Sequence, residues 1–347
     1  MKQYQTTGSA TPLTLVESPT PEPTGTEVLL ATRTCGVCHS DVHLHEGEFD
    51  LGGGRKLPVG AAGMTLGHEI MGEVVAVGPD AEGVSVGDRR VVYPWIGCGT
   101  CATCARGDEH LCMAPRNLGI QAGGGFGDHV LAPHPRYLFD FGEVDEGLAA
   151  TYACSGLTAY SSLKRVGTLG EGEHLVIVGA GGLGMMALAI GRAAFGYEPI
   201  VVDIDDEKLA AAMTAGAKAV FNTRDAGAAK EVQAMTGGGA VAALDFVGSE
   251  PSSGFGLSVL RKGGRLVVVG LYGGQLTMPL PFLPMQARVI EGNYVGNLQD
   301  MDELMGLVRA GRIPPIQVSE RPASEAGEVL ADLKAGRILG RAVLRHA

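Results

Sequence analysis

Within six residues, Cys38-His39-Ser40-Asp41-Val42-His43 brings together a thiol, a hydroxyl, a carboxylate and two imidazoles. The group follows the apolar run Val28-Leu29-Leu30, which reads as a strand. One thiolate cannot hold a metal. Two later segments, Gly67-His68-Glu69 and Cys154-Ser155-Gly156, could complete a site. A Cys38/His68/Cys154 set leaves one position of a tetrahedral zinc open to water or substrate, which marks a catalytic rather than a structural metal. Chance coincidence of scattered ligand types is the competing explanation, and the other motifs weigh against it.

Cys98, Cys101, Cys104 and Cys112 follow the spacing C-x₂-C-x₂-C-x₇-C. Four thiolates in one short lobe close a tetrahedral shell and leave no room for substrate, so this group reads as a structural zinc site. The iron–sulfur alternative needs a shorter last gap followed by proline, whereas Met113 follows Cys112 here. Cys35 could pair with Cys38 as a redox or zinc knuckle. With better partners open to Cys38, Cys35 reads as a small buried hydrophobe.

A third motif lies between a strand and a helix. Glu173-His-Leu-Val-Ile-Val178 is an apolar strand, Gly179-Ala-Gly181-Gly182-Leu183-Gly184 a glycine-rich turn, and Met185–Phe195 a helical run. Pro199–Asp203 is the next strand and ends in an acid. Such a turn lets backbone N–H groups approach a pyrophosphate at a helix N-terminus, and Gly184 permits close helix–strand packing. Asp203 would accept hydrogen bonds from the adenosine ribose and repel a 2′-phosphate, so NAD is expected over NADP. The bland alternative is a core turn with a surface acid.

The elements around these motifs fall into two kinds. Up to about residue 154, short strands alternate with turn glycines, as in a small β-barrel or sandwich. Residues 46–65, with Gly52-Gly53-Gly54 and Gly60, look like an irregular surface loop. From 155 onward strands near 219–221, 242–247, 265–270 and 286–295 alternate with helices near 206–215, 226–236 and 252–261. That pattern predicts a parallel sheet wound on both faces. The helix 299–310 and the segment 325–347 return to the first domain. The domains expected are 1–154 plus 296–347, with a metal lobe at 95–113, and 155–295.

Composition removes several classes of function. The 347 residues are 45% hydrophobic, enough for a large core, and the net charge of −11 without any Lys/Arg run excludes a nucleic-acid surface. Leu175–Gly191, a long uncharged run, is too short and too rich in glycine to span a membrane. The N-terminus has no apolar signal region, and clustered cysteines favour metal binding in a reducing cytoplasm over disulfides.

With both cysteine signatures upstream of the glycine turn, the sequence resembles zinc-containing alcohol dehydrogenases of the medium-chain dehydrogenase/reductase superfamily, over nearly its whole length. Its most specific matches are Cys38–His43, Gly67–Glu69, the four-cysteine lobe, Cys154-Ser-Gly-Leu-Thr158 and Gly179–Gly184. Cys₂His is the ligand set known for that family. The resemblance implies an α/β fold, with a GroES-like β-rich catalytic domain and a doubly wound Rossmann sheet. It also implies two zinc ions per chain, NAD, and a homodimer or homotetramer that oxidises an alcohol to an aldehyde or ketone.

Residue roles follow from the same resemblance. Cys38, His68 and Cys154 would ligate catalytic zinc, with Glu69 beside it and Asp41 bonded to the ligand imidazole. Ser40 and His43 match a proton relay running through the cofactor ribose, although Ser40 could be a helix cap and His43 a surface histidine. His39 and Arg341 match pyrophosphate contacts and Lys208 a ribose contact. Thr158, Leu183, Val247, Gly270, Leu271, Asn293 and Tyr294 fall around the nicotinamide side, while Trp95 and His45 fall at the substrate pocket. The stretch between Cys38 and His68 is longer than in common members, so the substrate is not carried over. The rival readings are a zinc-free quinone or enoyl reductase of the same superfamily and a non-catalytic NAD-binding structural protein.

Overall fold

The structure, a computed structural model, describes residues 1–347 and separates into two compact units. The first comprises Met1–Glu48, Pro58–Leu157 and Gly296–Ala347; the second comprises Phe49–Leu57 and Thr158–Val295.

The first unit is organised by the strand Val28–Val37, whose run VLLATRTCGV is buried along nearly its whole length. It pairs antiparallel with Glu69–Val77, His129–Ala132 and Arg341–Arg345. The sheet continues through Arg89–Val92 to Leu138–Phe139 on one side and Val318–Pro322 on the other. The strand extends three residues beyond the expected Thr34, because Cys35-Gly36-Val37 is buried and finds Glu69 and Ile70 as partners. Gly36 is required there. A Cβ at that position would lie 1.9 Å from a carboxylate oxygen of Glu69.

The second unit holds six parallel strands in the order Ala219–Asn222, Ile200–Asp203, Leu175–Val178, Ala240–Asp245, Leu260–Val268 and Val289–Gly292. The strand order reverses between Leu175–Val178 and Ala240–Asp245, where a doubly wound sheet opens its binding crevice. Val176, Val178, Ile200, Val202, Ala243 and Leu266 form the core, buried as parallel strands covered on both faces must be.

Several boundaries differ from expectation for local reasons. The helix after the glycine turn begins at Gly182, not Met185, with Gly181 at its extended N-cap. The strand expected over 242–247 runs Ala240–Asp245, because the Asp245 carboxylate turns the chain by accepting from Val247 and Gly248 N–H at 3.0 Å each. The expected 252–261 helix is Glu250–Ser258, since the Ser249 capping box starts it early and Leu260 already pairs with Ala240. Its last strand is cut to Val289–Gly292, flanked by Ala287 and Val295 at positive φ. Residues 46–65 are not an irregular loop throughout: Glu48–Asp50 and Lys56–Pro58 pair in a small sheet. No helix is long and apolar enough to cross a membrane.

Candidate active site

Cys38 directly follows the central strand of the first unit and N-caps the helix His39–Glu46. Asp41, at the third position of that helix, accepts from the Cys38 N–H at 2.9 Å. Its other oxygen accepts from the Gly67 N–H at 3.1 Å and lies 3.3 Å from His68 Nδ1. One fully buried carboxylate therefore fixes both the start of the helix and the ligand imidazole. Cys154 sits in a π-helical turn, Tyr152–Gly156, between the helices Glu146–Thr151 and Leu157–Val166. Such turns aim a side chain away from regular helical register.

The ligand atoms of Cys38, His68 and Cys154 all lie within 4.8 Å of one another. His68 Nε2 is buried with no hydrogen-bond partner in the protein, and Nδ1, also outside regular hydrogen-bond geometry, faces the Asp41 carboxylate at 3.3 Å. An orphaned imidazole nitrogen beside two sulfurs fits a soft divalent ion such as zinc. Burial would depress the His68 pKa, but Asp41 and Cys38 outweigh it and hold it well above the ordinary value. The contact with Cys154 holds the Cys38 thiol well below its ordinary range, whereas the same contact and burial hold Cys154 well above. Glu69 is raised by burial, although Arg341 opposes the shift from 2.5 Å. Its second oxygen accepts from the Ser155 N–H at 3.0 Å, tying it to the Cys154 turn.

The flanking residues are placed as follows. His39 is exposed; Ser40 and His43 are half-buried one helical turn apart. Trp95 is buried, its Nε1 donating to the Ala153 carbonyl at 3.0 Å and its ring centroid 5.3 Å from that of His68. His45 turns its Nε2 to the Thr11 carbonyl oxygen at 2.7 Å. Arg341 directs its guanidinium at Glu69 from inside the unit.

Cys98, Cys101, Cys104 and Cys112 likewise bring their sulfurs within 4.8 Å of one another. Backbone and side-chain donors at Thr100 lower Cys98 to about 6, and burial raises Cys104 to about 12. The lobe is anchored by a residue that sequence reasoning missed. Buried Glu109 accepts from the Gly97 N–H at 3.2 Å and the Tyr137 hydroxyl at 2.7 Å, and pairs with Arg136 at 2.9 Å. Its position inside the cysteine spacing was the only available signal.

In the second unit, Gly179 has φ +97°, and a Cβ on Gly184 would stand 1.8 Å from the Gly179 carbonyl oxygen. This close approach brings the N-terminus of Gly182–Phe195 against the strand end. Leu183 lies in the helix's first turn. Asp203 accepts from the Ala180 N–H at 2.6 Å and the Ile204 N–H at 2.7 Å, so it shapes the glycine turn. Lys208 lies 3.9 Å from Asp205. A Cβ on Gly270 would lie 2.2 Å from the Val247 carbonyl carbon, so the backbone passes close there, and Thr158 Oγ1 is buried without a hydrogen-bond partner. Leu271 and Tyr294 are exposed, while the Asn293 side chain donates to Ser161 and accepts from Arg165. Asp245 is a second missed residue; it is fully buried and accepts from the Ser252 and Ser253 hydroxyls at 2.9 and 2.7 Å.

Comparison with known proteins places this arrangement. Residues 24–141 match the alcohol dehydrogenase GroES-like domain and residues 182–310 the zinc-binding dehydrogenase family. An NAD-dependent alcohol dehydrogenase of Sulfurisphaera tokodaii is 39% identical over 342 residues, covering 96% of each chain. The chain belongs to the zinc-containing alcohol dehydrogenase family. Another family member, an NAD-dependent alcohol dehydrogenase of Saccharolobus solfataricus, is 37% identical, again over 96% of each chain. The crystal structure of the alcohol dehydrogenase from Aeropyrum pernix superposes with a TM-score of 0.88 at 31% identity, covering 99% of this chain and 100% of that one. The protein is thus an enzyme of the alcohol dehydrogenase type, with that family's GroES-like and doubly wound α/β architecture.

Proposed function

We propose that this alcohol dehydrogenase holds two zinc ions per chain and uses NAD in preference to NADP to interconvert an alcohol with its aldehyde or ketone. The observation that carries this reading is the buried, unpartnered His68 Nε2 beside Cys38 and Cys154, in a chain that also carries the Gly179–Gly184 turn. Zinc, when bound there, supplies Lewis acidity that lowers the pKa of an alcohol hydroxyl, and NAD⁺ supplies the hydride acceptor.

The chain's own residues do the rest. Asp41 holds the His68 tautomer by facing Nδ1, which leaves Nε2 for the metal. Ser40 and His43, on one helix a turn apart, are the groups that pass and hold the alcohol proton. Trp95, packed on His68, walls the substrate side. The Cys98–Cys112 set would hold the second, structural zinc. Asp203, at the end of its strand, sets the cofactor preference by repelling a 2′-phosphate.

We place the enzyme in the cytoplasm as a homo-oligomer. Support for assembly comes from the second unit, where Leu280, Phe282 and Met285 are exposed beside the edge strand Val289–Gly292.

Elemental analysis combined with NADH formation across primary, secondary and aromatic alcohols tests the proposal. Two zincs and alcohol-driven NADH formation are expected. Activity without metal would establish the zinc-free reductase reading, and metal binding without turnover on any alcohol the structural one. Asp203→Ser is expected to raise NADP⁺ use at a cost in NAD⁺ binding. A native preference for NADP⁺ in kcat/KM would sink that assignment.

A further inference from the structure

The C-terminal strand Arg341–Arg345 ends one residue before His346. His346 is held on two levels. Its backbone N–H donates to the Arg33 carbonyl at 3.0 Å, extending the pairing of Arg345 with Thr34. Its imidazole Nε2 lies 2.8 Å from the Gly125 carbonyl oxygen. A carbonyl only accepts, so Nε2 must carry the proton.

From Gly125 a continuous path of hydrogen bonds leads inward. The Gly125 carbonyl shares a peptide with the Phe126 N–H, which donates to the Leu66 carbonyl at 2.9 Å. That carbonyl shares a peptide with the Gly67 N–H, which donates to Asp41 Oδ1 at 3.1 Å. The Gly125 N–H ties the two segments again at the Gly67 carbonyl, 2.8 Å away. Asp41 Oδ1 in turn faces His68 Nδ1 at 3.3 Å. Each of these two peptides accepts on its oxygen while it donates through its own N–H, so successive bonds polarise one another. The path is stiff because both of its peptides are wedged against Cys35. A Cβ on Gly67 would lie 2.6 Å from the Cys35 sulfur, and one on Gly125 would lie 2.7 Å from it. Gly67 also has φ +92°, a conformation that other residues rarely adopt. The peptides therefore have little room to move once their hydrogen bonds are lost or made.

We propose that His346 is a positioning residue for the Cys38/His68/Cys154 site, acting through the Gly125 and Gly67 peptides on the Asp41 carboxylate that orients His68. The inference rests on the reading of those three residues as metal ligands. His346 touches neither metal nor substrate. By fixing the Gly125 carbonyl it fixes the Gly67 peptide, and with it the N–H that shares Asp41 with the ligand imidazole. Removing the imidazole frees one end of this path while the backbone bond to Arg33 and the Arg345 pairs with Glu320 and Glu146 keep the C-terminus docked.

The test compares wild-type holoenzyme, His346→Ala and His346→Gln, whose side-chain amide can replace the Nε2 donor. The readouts are the visible ligand-field spectrum after Co²⁺ exchange at the Cys38/His68/Cys154 site and the rate of Co²⁺ release to a chelator. His346→Ala is expected to shift the spectrum and speed release by about 10-fold, the low end for residues that orient metal ligands. His346→Gln is expected to restore both. A His346→Ala protein with wild-type spectrum and release rate overturns the proposal, even if its melting temperature falls. So does failure of a folded His346→Gln to restore either readout. If Cys154→Ser binds as much Co²⁺ as the wild type, the metal reading itself fails and this inference with it.

Discussion

The Cys98–Cys112 lobe collects its four sulfurs from one short loop, whereas Cys38, His68 and Cys154 come from a strand end, a strand start and a π-helical turn. The difference in origin shows in their surroundings. Cys98, Cys101 and Cys104 are half-buried, and the first two are tuned mainly by nearby backbone, the Thr100 and Cys101 N–H groups helping to lower Cys98 to about 6. The distant set sits among buried charges, with Asp41 and Glu69 fully enclosed and Arg341 nearly so. A local cluster needs only its own turns to form. A distributed one needs the whole sheet to be in register before its ligands meet, so its geometry inherits every error of the fold. This division suits a structural metal in the first case and a reactive one in the second.

The sharpest break in this comparison is to remove one thiol from each set. Cys154→Ser is expected to abolish turnover and one equivalent of zinc while the far-UV spectrum and cooperative unfolding persist. Cys98→Ser is expected instead to destabilise the chain, lowering the melting temperature, because closed thiolate shells contribute directly to folding. If the two variants behave alike, the functional distinction between the sites is wrong.

Arg341→Met probes the buried charges of the distributed set. It leaves Glu69 enclosed without its cation and should cost about 3–5 kcal/mol in urea unfolding. Adding Glu69→Gln should recover part of that loss, since the two residues share one interaction. Strict additivity of the two costs would contradict the pairing.

His43→Gln addresses the proton, which only the distributed site has to move. Alcohol oxidation near neutral pH should fall by about 10-fold or more, with the loss shrinking at high pH as solvent takes the proton. An unchanged pH–rate profile would mark His43 as a surface residue.

The smallest effect concerns stability. Burial holds His346 below its ordinary pKa, with Asp128 opposing and His129 reinforcing the shift. The unfolded chain therefore binds a proton more readily than the folded one as the pH falls below about 6.5. Stability should decline on acidification through that window, and His346→Gln should flatten the decline in urea titrations at stepped pH. An identical slope in both proteins would remove His346 from the titrating groups.

The legible parts of the sequence were those whose function needs only neighbours in the chain. The glycine turn and Asp203 could be read because strand, turn and helix follow one another and Ala180 lies near enough to donate to that carboxylate. The four-cysteine spacing could be read because one lobe holds it all. Even there, residues 46–65 were misread: turn glycines mark a loose loop and a small hairpin alike, and only the pairing of Glu48–Asp50 with Lys56–Pro58 separates them. Residue types alone also marked Cys38, His68 and Cys154 as ligands, without their arrangement. What the tertiary structure decided is which buried charge meets which. Arg341 reaches Glu69 across 272 positions, and His346 reaches Gly125 across 221. No periodicity or motif encodes such pairs, because they depend on three strands aligning side by side. Only once Val28–Val37 lies between Glu69–Val77 and Arg341–Arg345 does the C-terminus come to rest beside the peptides that hold Asp41.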